Sequence, residues 1–167
     1  MDVRGLPLEC GEESAITPVV IDRLEIDEAA RQLLSACGLP IDDLQAPANQ
    51  LRLFGCRRDG QLLGLVGLEM HGPDVLLRSL AVADAARGQG LGQLLAAHAE
   101  RYAAAQGAQA VYLLTTTAED FFTPRGYRLA ERADAPQAIA ATRQFSGLCP
   151  AAAAFMCKRL VKGGDAF

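Results

Sequence analysis

The sequence predicts a single domain of α+β class, with helices flanking a sheet. The chain has 167 residues, of which half are hydrophobic and 22% are charged, a balance typical of a globular domain with a sizeable core. Its periodic segments follow the order helix, hairpin, strand, helix, strand, short helix, strand, helix, strand, which indicates mixed secondary structure around one core. We expect one domain over residues 1–167, with residues 161–167 as a loose tail.

The N-terminal half is expected to contain a helix, a hairpin and a strand. Apolar residues at helical spacing predict a helix over residues 20–37, which Gly38 and Pro40 would end. Residues 51–72 form two apolar runs around Asp59-Gly60, a strong signal for a tight hairpin turn. A second turn at 71–74 leads into a strand over 75–82.

The next helix is predicted over residues 90–106, with Gly107 as the residue that caps its C-terminal end. Its apolar face is expected to carry Leu91, Leu94, Leu95, His98 and Tyr102. Because His98 falls among these residues, we interpret it as a packed core histidine.

Short elements are expected to follow: a strand over 110–116, a helical turn over 118–122, a strand over 126–131, a helix over 134–145 and a last strand over 151–160. The helix over 134–145 is predicted from Asp134 as an N-cap, Pro136 as the first helical residue and Gln137 as the capping-box partner.

Charge and composition argue against several classes of protein. The net charge of -4 is opposite to that of a nucleic-acid-binding surface. No apolar run reaches the roughly 18 residues of a membrane span, and the first ten residues are too charged for a signal peptide. Five widely spaced cysteines and two histidines favour neither a disulfide framework nor a metal site. We therefore expect a reduced, cytoplasmic protein without metal, nucleic-acid partner or membrane association.

The segment "ARGQGLG" places Gly88, Gly90 and Gly92 where a strand gives way to a helix. A helix N-terminus offers unpaired N–H groups, and glycines let a phosphate approach them closely. A Walker A loop is excluded because it needs a lysine, and the first lysine is Lys158. A dinucleotide fingerprint fits poorly because Gln93 stands at its last glycine position. The alternative is a simple tight turn.

The pattern Arg87-x-x-Gly90-x-Gly92, with "LAV" before it and "FFTPRGY" after it, resembles the acetyl-CoA signature of the GNAT N-acetyltransferases. The resemblance covers residues from about 50 to 130 and extends plausibly to the last strand. It implies a mostly antiparallel, twisted sheet that splays between its fourth and fifth strands. It also implies acetyl-CoA as co-substrate, and direct attack of an acceptor amine on the thioester.

The same resemblance implies where the cofactor binds. Pantetheine would pair with the backbone of Leu80 and Val82, and an N–H near Leu80 would stabilise the oxyanion. The amides of residues 89–92 would hold the pyrophosphate, with Arg87 adding charge unless it is merely a solvated loop arginine. The expected cofactor-binding residues are Leu80, Ala81, Val82, Arg87, Gly88, Gln89, Gly90, Leu91, Gly92 and Thr115.

Three positions depart from the family's pattern. Phe122 stands where a tyrosine commonly protonates the CoA thiolate, Thr115 where an asparagine often contacts CoA, and Arg78 where an acidic residue is common. Glu69 is the candidate general base, unless it is an exposed strand carboxylate. Tyr127 is expected to be a core aromatic, and His71 a turn residue.

Arg78 and Ser79 are the candidate acceptor-binding residues. An arginine beside the acceptor pocket suits an anionic acceptor, unless it points outward from its strand. The predicted helix over 134–145 would roof that pocket.

The segments "TTT" and "LCP" resemble those of the arsenic-resistance-associated branch of the family. This favours a small primary amine as acceptor, either an amino acid or an arsenic-bearing analogue of one, and the family relationship allows for a homodimer. Two rival functions are arsenic capture by the cysteines and a CoA-binding sensor or interaction module without catalysis.

Overall fold

The computed structural model describes residues 19–39, 41, 50–142, 145–146 and 153–160. Within these ranges the strands form a seven-stranded sheet in the order β1-β2-β3-β4-β5-β7-β6, with β4 and β5 parallel and all other neighbours antiparallel. The strands are β1 Val20–Arg23, β2 Leu51–Arg58, β3 Gln61–His71, β4 Asp74–Val82, β5 Ala110–Thr115, β6 Arg128–Leu129 and β7 Ala154–Arg159. The helices are α1 Glu28–Ala36, α2 Leu91–Ala105, α3 Glu119–Phe122 and α4 Gln137–Ala140. The predicted α+β class is confirmed.

The β2–β3 hairpin forms as predicted. Asp59 and Gly60 both have positive φ angles, of 54° and 80°, as the favoured two-residue hairpin turn requires. Side chains of β3 alternate between the two faces of the sheet. Val66 and Leu68 belong to the core beneath α2, whereas Leu65 belongs to the core beneath α1. The hairpin therefore supplies one layer to each of two cores.

Helix α2 packs on the sheet through leucines in its first half and alanines in its second half. Leu91, Leu95, Ala99 and Ala103 are buried at intervals of four residues. Leu94, which we expected on this face, is exposed, while His98 packs edge-on against Phe54. Ala99 and Ala103 lie two and three turns into the helix, and their small side chains let the helix backbone lie close to the strands. The buried face therefore includes these alanines and excludes Leu94. None of the described helices is long and apolar enough to cross a membrane.

The predicted helix over residues 20–37 is wrong in its first half. Residues Val20–Arg23 instead form β1, which pairs with β2 through Val20 opposite Arg57 and Arg23 opposite Phe54. The helix begins only after Asp27, whose Oδ1 accepts a hydrogen bond from Ala30 N at 3.0 Å. The apolar spacing of residues 20–23 also suits a helix. Pairing with the open edge of β2 makes this segment a strand instead.

The C-terminal elements are shorter than predicted. The strand expected over 126–131 is limited to Arg128–Leu129, and the last strand begins at Ala154. Asp134 ends a 3₁₀ turn rather than capping a helix, and Pro136 occupies the N-cap position of the four-residue helix α4. Ile139 of α4 packs with Leu76 and Phe155 on one face of the sheet. The expected tail at 161–167 lies outside the described residues.

Candidate active site

Strands β4 and β5 pair only over their first three residues, as the predicted splay requires. Asp74, Val75 and Leu76 of β4 face Ala110, Val111 and Tyr112 of β5, and no later residues of the two strands pair. Beyond Leu76 the two strands separate, so backbone groups on β4 face a gap rather than a neighbouring strand. An extended ligand can bind such an edge as an added strand does.

A β-bulge interrupts the regular pairing of β4 with β3 beside this gap. Arg78 pairs with Gly67 and Ala81 pairs with Leu65, so Ser79 and Leu80 together face the single residue Val66. Ser79 has a φ angle of 60°, a left-handed conformation that is uncommon for a residue other than glycine. The bulge brings Ser79 to the buried side of the gap and Leu80 to its wall.

The glycine loop forms the N-terminus of α2. Gly88 and Gly90 have φ angles of 82° and 79°, and Gly90 is the N-cap residue. The first α-helical bond runs from Leu94 N to Gly90 O, and no acidic residue lies in the first turn. The N–H groups and the dipole of this helix therefore favour an anion at the loop.

Two adjoining cavities form one groove between β4, β5, the glycine loop and α3. The outer cavity, of about 440 Å³, is lined by Leu80, Val82, Ala86, Arg87, Gly88, Gly90, Leu91, Gly92, Gln93, Ala118, Phe121 and Arg125. The inner cavity, of about 230 Å³, is lined by Cys37, Leu39, Leu77, Arg78, Ser79, Leu80, Ala81, Val82, Arg87, Leu113, Leu114, Thr115, Thr117, Ala118 and Phe122. The two share Leu80, Val82, Arg87 and Ala118.

The groove suits a long ligand with a charged end. Its outer end has N–H groups and an arginine for phosphates, and its middle offers open strand edge for an extended amide chain. Its inner end is small and contains hydroxyl groups. Coenzyme A has phosphates at one end, an amide-containing pantetheine chain in the middle and a thiol at the other end, so the residues present fit it. Every expected cofactor-binding residue lines the groove except Gln89, whose Oε1 accepts a hydrogen bond from Arg58 Nη1 at 3.0 Å.

Arg87 is anchored at the mouth of the groove. Its Nε donates to the carbonyl oxygen of Val82 at 3.1 Å, and its Nη1 lies 3.1 Å from Asp84 Oδ1. More than half of its side chain is exposed, so its charge reaches the entrance of the outer cavity. That Arg87 contributes charge beside a bound phosphate stays a prediction.

A buried ion pair joins Arg78, which lines the inner cavity, to Glu69, which lines neither cavity. Arg78 Nη1 donates to Glu69 Oε2 at 2.8 Å, and both side chains are 1% exposed. Arg78 Nε donates to Ser79 Oγ at 3.1 Å, and His71 Nε2 lies 3.3 Å from Glu69 Oε1. The alternatives of an outward-facing arginine and an exposed carboxylate are wrong. His71, expected to be only a turn residue, contacts this pair.

Alternation along β3 explains the position of Glu69. Leu68 and Met70 pack toward α2, so Glu69 faces the other side, where the register of β3 and β4 places it diagonally from Arg78. Burial of both charges is tolerated because each has polar partners.

Phe122 and Tyr127 pack in the hydrophobic core beside α3. Phe122 is buried and makes edge contacts with Phe121 and Tyr127. Tyr127 is buried as predicted, and its hydroxyl donates to Glu100 Oε2 at 2.9 Å, away from the groove. Thr115 Oγ1 accepts a hydrogen bond from Ala118 N at 2.9 Å, so it caps the turn into α3 while lining the inner cavity.

The described cysteines are free thiols at separate places. Cys56 and Cys157 lie in the sheet, where burial raises the pKa of each thiol. Cys37 follows α1 and lines the inner cavity. Cys10 and Cys149 lie outside the described residues. In the described part of the chain, no three His, Cys, Asp or Glu side chains are grouped as metal ligands.

Sequence reasoning missed the outer wall of the groove. Gln93, Phe121 and Arg125 line the outer cavity, although Gln93 was considered only as a mismatch to a dinucleotide motif. The signal available was the spacing of Phe121 and Arg125, four residues apart around a helical turn. That spacing alone does not indicate which wall they would form.

We expect Gly90→Ala to weaken CoA binding about tenfold and to lower the free energy of unfolding by about 1 kcal/mol, because alanine is strained at positive φ and adds a methyl group beside the anion site. Gly107→Ala is the matched control, since Gly107 has a φ angle of 91° at the opposite end of α2. Calorimetric titration with CoA, together with urea unfolding, should show similar destabilisation of both variants but weaker binding only for Gly90→Ala. Equal loss of binding in both would contradict a phosphate site at the loop.

The fold is shared with many solved structures. N-acetylglutamate synthase from Neisseria gonorrhoeae, solved with coenzyme A and N-acetyl-glutamate, superposes with a TM-score of 0.75 at 19% identity; the match covers 87% of this chain and 36% of that one. The chain thus spans about a third of that synthase. A Mycobacterium tuberculosis protein solved with CoA has a TM-score of 0.71 at 17% identity, over 85% and 99% of the two chains.

The ribosomal-protein-S18-alanine N-acetyltransferase from Escherichia coli has a TM-score of 0.67 at 16% identity, over 90% of this chain and 99% of that chain. The sequence matches none of the curated proteins. It does match the acetyltransferase (GNAT) family over residues 22–127, which include the splayed strands, the glycine loop and α3. This chain therefore belongs to the GNAT family of acetyltransferases.

Proposed function

We propose that this protein transfers the acetyl group of acetyl-CoA to the primary amine of a small carboxylate-bearing acceptor, an amino acid or an analogue of one. The observation that carries the proposal is the buried Arg78 at the inner end of the groove, beside the position that a bound thioester would reach. A cationic side chain in a small, enclosed cavity favours an anionic group on the acceptor.

The backbone of this chain would position both reactants. Acetyl-CoA supplies the activated acetyl group, and the open edge of β4 at Leu80 and Val82 would hold the pantetheine chain. The Leu80 amide in the bulge is the proposed donor to the thioester oxygen, which gains negative charge during attack. A preset amide needs no reorganisation at that moment, so the bulge serves catalysis as well as shape.

Glu69 is the proposed general base, and its contacts suggest how it becomes available. In the described structure Glu69 is engaged by both Arg78 and His71. An acceptor carboxylate at Arg78 would replace Glu69 as the partner of the guanidinium and release Oε2 toward the acceptor amine. His71, whose side chain is 17% exposed, would then connect Glu69 with solvent.

The class of acceptor has support from two sides. The Neisseria gonorrhoeae synthase was solved with N-acetyl-glutamate, a carboxylate-bearing product. The segments "TTT" and "LCP" resemble the arsenic-resistance-associated branch, and this resemblance is why we include an arsenic-bearing amino acid analogue among the proposed acceptors. N-acetyl-glutamate carries carboxylates beside its acetylated nitrogen, and an arsenic-bearing amino acid analogue would pair an amine with an anionic group, as we propose for the acceptor.

A CoA-binding sensor without catalysis is the second candidate. Phe122 is buried at the inner end of the groove and cannot donate a proton to a thiolate, which is the observation that favours it. A thiol has an ordinary pKa of about 8.5, so its thiolate is a good leaving group even without an acid.

Thiol release from acetyl-CoA over an acceptor panel tests the proposal. We expect turnover with amino acids and their anionic analogues, including arsenic-bearing ones, and little with polyamines or simple alkylamines. Faster turnover with polyamines would overturn the acceptor class. CoA binding without turnover on any amine would establish the sensor instead.

A further inference from the structure

Arg125 is held flat against the outer wall of the groove. It ends the 3₁₀ turn after α3, and its guanidinium carbon lies 3.9 Å from the centroid of the Phe121 ring. Its Nη1 donates to the carbonyl oxygen of Phe121, and its Nη2 lies 3.4 Å from Gln93 Oε1. Stacking and two hydrogen bonds fix the plane of the guanidinium before any ligand arrives.

One nitrogen of this guanidinium has no partner. Among the described residues, Arg125 Nε is a buried side-chain polar atom without a hydrogen bond. Leaving a buried donor of a charged group unpaired costs more than leaving a neutral one unpaired. Nη1 and Nη2 each have a second N–H besides the one that donates to Phe121 or Gln93. Because Arg125 and Phe121 line the outer cavity, an anionic ligand there can pair with these N–H groups.

Arg125 reaches the groove from the turn after α3, whereas Arg87 belongs to the glycine loop. Arg125 contacts Gln93, next to the residues 89–92 that are expected to hold the pyrophosphate. If the pyrophosphate occupies the loop amides, Arg125 is left for another anionic group of the same cofactor. In coenzyme A that group is the 3′-phosphate of the ribose.

We propose that Arg125, oriented by Phe121, binds the 3′-phosphate of coenzyme A and makes this enzyme select CoA over 3′-dephospho-CoA. This inference rests on the proposed use of the groove for acetyl-CoA. It assigns a specificity role to a residue outside the glycine signature, and the 3′-phosphate is the only group by which the two cofactors differ.

Calorimetric titration of wild type and Arg125→Gln with CoA and with 3′-dephospho-CoA tests the proposal. Wild type is expected to bind CoA about tenfold more tightly or better, and Arg125→Gln to bind the two about equally. Arg128→Gln is the matched control, because Arg128 is an exposed arginine three residues away on β6 and lines neither cavity; it should keep the wild-type ratio.

Two results would overturn the assignment. The first is a wild-type ratio retained in Arg125→Gln; the second is an equal loss of affinity for both cofactors, which would make Arg125 a support for the wall or a pyrophosphate ligand. If Arg125→Gln does not fold, the wild-type protein alone tests the proposal. The proposal requires wild type to bind 3′,5′-ADP more tightly than 5′-ADP, which lacks the 3′-phosphate. Wild type that binds neither cofactor would contradict the proposed function itself, whereas equal binding of both contradicts only the role of Arg125.

Discussion

Replacing Arg78 by methionine is expected to raise the KM for a carboxylate-bearing acceptor about a hundredfold while changing the KM for acetyl-CoA less than threefold. Methionine retains much of the arginine side chain's volume but cannot pair with an anion. Arg78 lines the inner cavity and not the outer one, so the cofactor should lose little. Steady-state kinetics with each substrate varied in turn measures the two constants.

The substitution also leaves the buried Glu69 carboxylate without its arginine partner. The resulting loss of stability has to be distinguished from the loss of acceptor affinity. Glu69 is 1% exposed, and without Arg78 it would lose a partner at 2.8 Å. Breaking such a pair costs about 3 kcal/mol or more. The double variant Glu69→Gln/Arg78→Met removes both charges and should recover much of the stability, but not the affinity for the acceptor. Equal rises of both KM values would contradict an acceptor role for Arg78.

Replacing Glu100 by alanine is expected to lower the free energy of unfolding by about 2 kcal/mol, the largest effect we expect away from the groove. Glu100 on α2 accepts hydrogen bonds from Tyr127 at 2.9 Å and from Lys158 of β7 at 2.8 Å. The alanine variant leaves both donors without this partner in a partly buried site. Urea unfolding should show the loss; Tyr127→Phe, which leaves Glu100 paired with Lys158, should cost only about half as much.

Tyr127 also gives stability a dependence on alkaline pH. Burial, and secondarily the Glu100 carboxylate, raise the pKa of Tyr127 well above its ordinary value of about 10. Above that value the unfolded chain binds fewer protons than the folded one, so the free energy of unfolding falls as the pH rises. Burial likewise raises the pKa of Tyr112 to about 12. Urea unfolding between pH 8 and pH 11 should show this fall, and Tyr127→Phe should lessen it. An unchanged slope in the variant would contradict this contribution.

The parts of the fold predicted correctly from the sequence are those specified by local chemistry. Asp59-Gly60 suits only a tight turn, and Gly90 and Gly107 mark the two ends of α2 because each adopts positive φ there. The C-terminal elements were predicted poorly because short segments have little periodicity. In particular, Asp134 and Pro136 carry helix-start chemistry but are used for a 3₁₀ turn and an extended N-cap.

Three features follow from the sequence alone: the α+β class, the glycine loop at a helix N-terminus and, through the motif of that loop, the family. These features depend on residues close together in the chain, whose backbone conformations and unpaired N–H groups follow from local chemistry. The folded chain adds two features that the sequence does not reveal: Glu69 and Arg78 form a buried pair, and Arg125 faces the groove. Strand register sets the first contact, and the contacts of Arg125 with Phe121 and Gln93 set the second. Neither is encoded in the spacing of the residues involved.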